Sequence, residues 1–171
     1  MADAVVFPGG RTGTKTALLL ATSAVAERRG ARVHRHEWAT ALPIPWGPHI
    51  ERWACDEATA VLDAVGGRPL IIGKSLASAA ADVAAARSLP AVWLTPLLSE
   101  AWVVAALERT TAPVLLIGGT ADGWWDGTAA RGLSPYVYEI EGADHTIGTT
   151  AARDRTVIAV EVFLDTITWP G

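Results

Sequence analysis

Short apolar runs recur along this chain, each stopped by glycine or proline and each followed by a segment of helical periodicity. Ala4-Val5-Val6-Phe7 stops at Pro8-Gly9-Gly10, and Pro69-Leu70-Ile71-Ile72 stops at Gly73. Ala91-Val92-Trp93-Leu94 stops at Thr95-Pro96, and Val114-Leu115-Leu116-Ile117 stops at Gly118-Gly119. Four-residue runs without polar alternation suit strands covered on both faces, which means a mainly parallel sheet between helical layers. Tyr136–Ile140 adds a sixth strand, and Arg32–Glu37 a second whose only aliphatic is Val33, which predicts a sheet edge.

The intervening helices are predicted over Thr14–Arg29 with Leu18, Ala21 and Val25 inward, and over Ile50–Val65 with Ala54, Ala58, Val61, Leu62 and Val65 inward. Gly30 serves as the first C-cap, and Gly66-Gly67 ends the second. Further helices are expected from Ser75 to Ser88, over Ser99–Arg109 with Ser99 as N-cap, and over Arg153–Thr166. The segment Ala41-Leu42-Pro43-Ile44-Pro45-Trp46-Gly47-Pro48 can be neither helix nor central strand. Strand–helix alternation with right-handed crossovers predicts an α/β fold, a three-layer α/β/α sandwich, in one domain spanning 1–171.

A chain of 171 residues, half of them hydrophobic, can bury about 70% of its unfolded surface. A formal charge of −4 without a basic run leaves no footprint for nucleic acid. No signal segment or membrane-length apolar stretch is read, so a cytoplasmic protein without membrane contact is expected. Arg outnumbers Lys twelve to two and Ala is abundant, a usage that fits a GC-rich bacterial genome. The lone Cys55 excludes an intrachain disulfide and a multi-cysteine metal site, and its helical position predicts a buried small hydrophobe. His34, His36 and His49 bring no third ligand of comparable promise, so no metal is expected.

Two segments imitate a phosphate loop. In Gly9-Gly10-Arg11-Thr12-Gly13-Thr14-Lys15-Thr16 the extra Thr14 separates Gly13 from Lys15. Before Gly73-Lys74-Ser75 the preceding Gly67 lies one residue too far back, and the intervening residues are strand rather than loop. Neither would wrap its N–H groups around a phosphate.

Gly73-Lys74-Ser75-Leu76-Ala77 instead places a serine between strand and helix, with small residues two before and two after it. Gly118-Gly119-Thr120-Ala121-Asp122 sets a carboxylate after strand five, and Gly142-Ala143-Asp144-His145 a histidine after strand six. Taken singly, Ser75 would be a helix N-cap, Asp122 a turn residue and His145 a packing residue. Their joint occurrence at one sheet edge singles them out, because a serine hydroxyl needs an imidazole to take its proton and the imidazole needs a carboxylate to orient it. Backbone donors for an oxyanion are expected at Leu76 and in the Gly9-Gly10-Arg11 turn, with Gly10 preferred. Asp126 is a weaker candidate acid.

On these segments the chain resembles the α/β-hydrolase superfamily, in particular its small cap-less members near dienelactone-hydrolase-like serine hydrolases. The resemblance implies nucleophile Ser75, acid Asp122, base His145 and strand order 2-1-3-4-5-6. Ala77 stands where the common pattern has Gly, Pro8 where a His often precedes the oxyanion Gly, and two antiparallel edge strands are absent. The expected chemistry is cleavage of an ester, thioester or similar small acyl compound through an acyl-enzyme, without a cofactor. Arg11, Trp46, Trp124 and Trp125 are candidate substrate contacts, against the plainer reading that some of the eight Trp cover a sheet lacking a cap. Lys74 would orient a ligand carboxylate or point to solvent. The same scaffold also serves biosynthetic cyclisation, acyl transfer or carbon–carbon chemistry, and a catalytically silent binding protein would keep the same residues. These readings stay open here, as does a homo-oligomeric state.

Overall fold

The apolar runs line up as one six-stranded parallel sheet. A computed structural model describes residues 1–170. Its strands are β1 Asp3–Phe7, β2 Arg32–Arg35, β3 Leu70–Lys74, β4 Ala91–Leu94, β5 Val114–Gly119 and β6 Tyr136–Ile140. Its helices are α1 Ala17–Arg28, α2 His49–Val65, α3 Ala81–Ala86, α4 Ala101–Glu108, α5 Gly127–Leu133 and α6 Thr150–Thr166. All pairings are parallel, in the order β2-β1-β3-β4-β5-β6 expected from the sequence.

Alternation along the strands divides the core in two. Val5, Phe7, Ile71, Trp93 and Leu116 face α2, α3, α4 and α5, while Ala4, Val6, Ile72, Leu94 and Ile117 face α1 and α6. The uninterrupted apolar runs therefore carry two patterns at once. β2 is an edge, and its Arg32 and His34 pair with Asp3 of β1, so charged side chains guard the strand row left open. Between β4 and β5 the chain inserts only α4. No helix among the described residues is long and apolar enough to cross a membrane.

Several boundaries differ from the sequence expectation, each for a local reason. Thr14 turns its N–H and hydroxyl to Glu37, so α1 starts later, with Thr16 as N-cap. The residues after Ser75 wind first as a 3₁₀ turn, Ser75–Ala80, before the short α3. Ser99 does not cap α4: its N–H donates to the Trp124 carbonyl, and the helix begins behind Glu100. α5 carries little helical signal in the sequence, because two of its seven residues are glycine. Asp126 is its N-cap, accepting from the N–H groups of Thr128 and Ala129. The last helix begins at Thr150, capped by Thr149, rather than at Arg153.

Candidate active site

The turn from β3 into the 3₁₀ segment is sharp enough to hold Ser75 at φ +53°, a left-handed conformation that a serine adopts only under constraint. Two features impose it. A Cβ on Gly73 would lie 2.5 Å from the Trp93 ring and 2.8 Å from the Ala77 methyl, so the strand can pass only as glycine. Trp93 sits opposite Gly73 in the β3–β4 register, and its indole fills the space the missing side chain leaves. Ser78 supplies the second: its hydroxyl donates to the Ser75 carbonyl at 2.7 Å and accepts from the Leu97 N–H at 3.0 Å. This buried brace between the turn and the β4–α4 loop carries no sequence signal, because a serine in an Ala-rich run is unremarkable until its partners are known.

At the same sheet edge, His145 Nε2 lies 2.7 Å from Ser75 Oγ and His145 Nδ1 lies 2.8 Å from Asp122 Oδ2. The three residues named from the sequence therefore form one hydrogen-bonded chain across 23 and 70 positions of sequence separation. The Asp122 side chain has no exposed surface, and its second oxygen accepts from the Trp124 N–H at 2.9 Å. Asp144 shapes the histidine loop, accepting at Oδ1 from the Thr146 N–H and hydroxyl. That hydroxyl bond, then the backbone bonds, holds the Asp144 carboxyl below its ordinary value.

Gly10 packs beside the 3₁₀ turn, where an added Cβ would be 3.3 Å from a Leu76 methyl. Among the described residues its N–H has no protein acceptor, and the Leu76 N–H precedes the first intrahelical donor of the turn. Glu37 fixes this β1–α1 loop by accepting at Oε1 from the Thr14 N–H at 2.8 Å. Gly13 must be small there, since a Cβ would stand 2.8 Å from Glu37 Oε2.

The tryptophans divide. Trp124 is 6.5 Å from the His145 ring, Trp46 is 5.7 Å from Trp124, and Trp102 is 6.3 Å from Trp46. Glu100 joins two of them, accepting from Trp46 Nε1 and Trp102 Nε1 with one oxygen each. Trp102 and Glu100 were not singled out from sequence, where they read as helix residues. Trp125 lies apart from this wall: its ring covers Gly118, and its Nε1 donates to Glu139. Trp38 stacks on Phe7 and meets Trp53 at a tilt, covering the sheet instead. Arg11 is exposed on the β1–α1 loop. Lys74 is half-buried; burial pushes its ammonium below the ordinary value, with Asp122 and Asp144 opposing.

Chemically, an imidazole held between a buried carboxylate and a serine hydroxyl can accept the hydroxyl proton and stay correctly oriented while charged.

No protein-family model and no curated protein matches the sequence. Solved structures do match in fold. One is an α/β serine hydrolase without a lid from Xanthomonas campestris, at 15% identity and TM-score 0.75, covering 97% of this chain and 82% of that one. Another is Est1E from Butyrivibrio proteoclasticus, at 16% identity and TM-score 0.76, covering 98% and 88%. A third is α/β hydrolase domain-containing protein 10 from mouse, at 14% identity and TM-score 0.70, covering 96% and 90%. The chain has the α/β-hydrolase fold.

Proposed function

We propose that this chain is a serine hydrolase that cleaves an ester, thioester or similar small acyl substrate through an acyl-enzyme. The observation that carries the reading is His145, placed within hydrogen-bond distance of both Ser75 Oγ and the buried Asp122. Ser75 Oγ attacks the acyl carbon as His145 Nε2 takes its proton. Asp122 holds the Nδ1–H tautomer and stabilises the imidazolium. The N–H groups of Leu76 and Gly10 receive the oxyanion, and His145 then protonates the leaving alcohol or thiol. Water repeats the sequence to release the acid. The likeness to a lidless serine hydrolase points the same way.

Trp46 and Trp124 offer the acyl group a flat apolar wall beside His145, with Trp102 next to Trp46, and the exposed Arg11 is a further candidate contact. Trp125 fits a structural part better, given its bond to Glu139. The partner is a small-molecule acyl substrate, and a chain with a single cysteine suits a reducing cytoplasm.

A fluorophosphonate probe tests the nucleophile directly. Wild type is expected to label at Ser75 and Ser75→Ala to remain unlabelled; equal labelling of the two sinks the assignment. A panel of p-nitrophenyl esters and acyl thioesters then reports turnover. Labelling without turnover of any member would favour biosynthetic acyl chemistry on the same fold.

A further inference from the structure

Lys74 is the cation nearest the nucleophile in sequence, and the mechanism above does not use it. Leu70 and Ile72 of β3 face α1 and α6, so strand alternation directs the Lys74 side chain to that same face. There it lines a cavity of about 230 Å³ together with Thr12, Thr16, Thr146, Gly148 and Arg153. Among the described residues no hydrogen bond or ion pair within the chain reaches its ammonium. Half-burial of the side chain disfavours its charged form, and no protein group hydrogen-bonds to the ammonium in return.

The rest of the lining points to the same missing group. Arg153 spends its known hydrogen bonds on the Gly148 carbonyl and the Thr150 hydroxyl, and no carboxylate pairs with it among the described residues. The Thr16 hydroxyl accepts from the Leu19 N–H and keeps its own proton free to donate. The two carboxylates close enough to act on Lys74 are both committed, Asp122 to His145 and Asp144 to Thr146. An acidic chain, with net charge −4, thus leaves two cations unpaired at one recess.

We propose that this cavity is an anion-binding site that takes a carboxylate or phosphate group on the leaving half of the substrate. Its position selects the leaving half. Thr146 and Gly148 lie one and three positions after His145, the residue that hands its proton to the departing oxygen or sulfur, whereas the tryptophan wall lies on the opposite, α4 side of the sheet. Thr12 belongs to the loop that carries Gly10, so a bound anion would also join the two loops that flank Ser75. In the acylation step the Ser75 Oγ–carbon bond forms and the carbon–heteroatom bond breaks. The serine proton passes through His145 to a leaving group whose anionic end stays held by Lys74 and Arg153. The substrate half of this proposal rests on the serine-hydrolase reading; the anion site does not.

Calorimetric titration of the Ser75→Ala protein with inorganic phosphate, and separately with benzoate, tests the site without turnover. Saturable binding of at least one is expected, and the stronger of the two identifies the group. Affinity should fall roughly tenfold or more in Lys74→Met and Thr12→Val should weaken it less, while Lys74→Arg retains it. Absence of saturable binding by either anion, or equal binding by Lys74→Met, overturns the site. Lys74→Arg and Thr12→Val keep the test decisive if Lys74→Met does not fold.

The leaving-half assignment is read from 4-nitrophenyl acetate against 3-carboxy-4-nitrophenyl acetate. Wild type should show the lower KM for the carboxylated ester, and that ratio should collapse in Lys74→Met. Persistence of the ratio refutes the assignment. Turnover of neither ester also refutes it, whereas the hydrolase reading falls if Ser75 fails to label with the fluorophosphonate probe, and Lys74-dependent anion binding then leaves the anion site standing.

Discussion

Asp122 uses both carboxylate oxygens, one toward His145 and one toward the Trp124 N–H, and exposes neither side-chain face. Replacing it by Asn keeps the shape but offers an N–H₂ or a neutral oxygen to His145, which favours the wrong tautomer. Asp122→Asn is expected to lower kcat by about 10³–10⁴ with KM little changed, measured on whichever p-nitrophenyl ester the wild type turns over. Ser78 matters in a different way. Ser78→Ala leaves the Ser75 carbonyl and the Leu97 N–H without their buried partner. A loss of about 1–3 kcal/mol in urea unfolding is expected, together with slower fluorophosphonate labelling because the serine turn loosens. An unchanged labelling rate would show that Trp93 packing alone holds the turn. At this scale the residues proposed to react were legible and their supports were not. Ser75, Asp122 and His145 follow from a requirement of acyl chemistry written in chain order, whereas Ser78 and Glu100 act through neighbours that only folding brings near.

Two elements meet the strain of the site. The β3–β4 pair packs Trp93 into the gap beside Gly73, so Gly73→Ala is expected to cost about 1–3 kcal/mol and to displace Ser75. Thermal unfolding with the labelling assay reads both effects. On the same face of the sheet, Glu57 of α2 gathers the loop after β2, accepting from the N–H groups of Ala39 and Thr40, the Thr40 hydroxyl and His36. Burial pushes the Glu57 carboxyl up, yet those hydrogen bonds outweigh it and hold it below its ordinary 4.5. A carboxyl whose folded pKa is depressed contributes stability that is fully present above its unfolded value and lost as pH falls through its folded one. Acid unfolding followed by circular dichroism should therefore be shallower in Glu57→Gln below pH 4.5 than in wild type. A parallel acid limb in the two proteins would show that Glu57 carries no such linkage. The loop it holds contains Trp46, so this element bears on the site as well as on stability.

Across the whole molecule, the core has two faces divided by one sheet, and Cys55 reports on how tightly they close. Its thiol reaches toward the Ala79 carbonyl, and burial pushes its pKa up to about 11. At pH 8 only about a thousandth of it is thiolate. Iodoacetamide at that pH is expected to leave Cys55 unmodified in the native protein and to alkylate it readily in urea, as read by intact mass. Ready alkylation of the folded chain would mean that α2 opens from the sheet without global unfolding.

The order of the strands, the sheet interior and the three residues proposed to react were legible in the sequence itself. Apolar runs of strand length and small residues around a serine are local patterns, and local patterns survive without coordinates. Helix starts and tryptophan roles were decided by tertiary structure. Trp46, Trp102, Trp124 and Trp125 are chemically alike, and their sorting depends on partners far along the chain: Glu100, His145 and Glu139. The same holds for Lys74, whose meaning lies in a recess built from α1, the histidine loop and α6. A residue type states what chemistry is available; only the packing of distant segments decides which partner it meets and whether water is excluded.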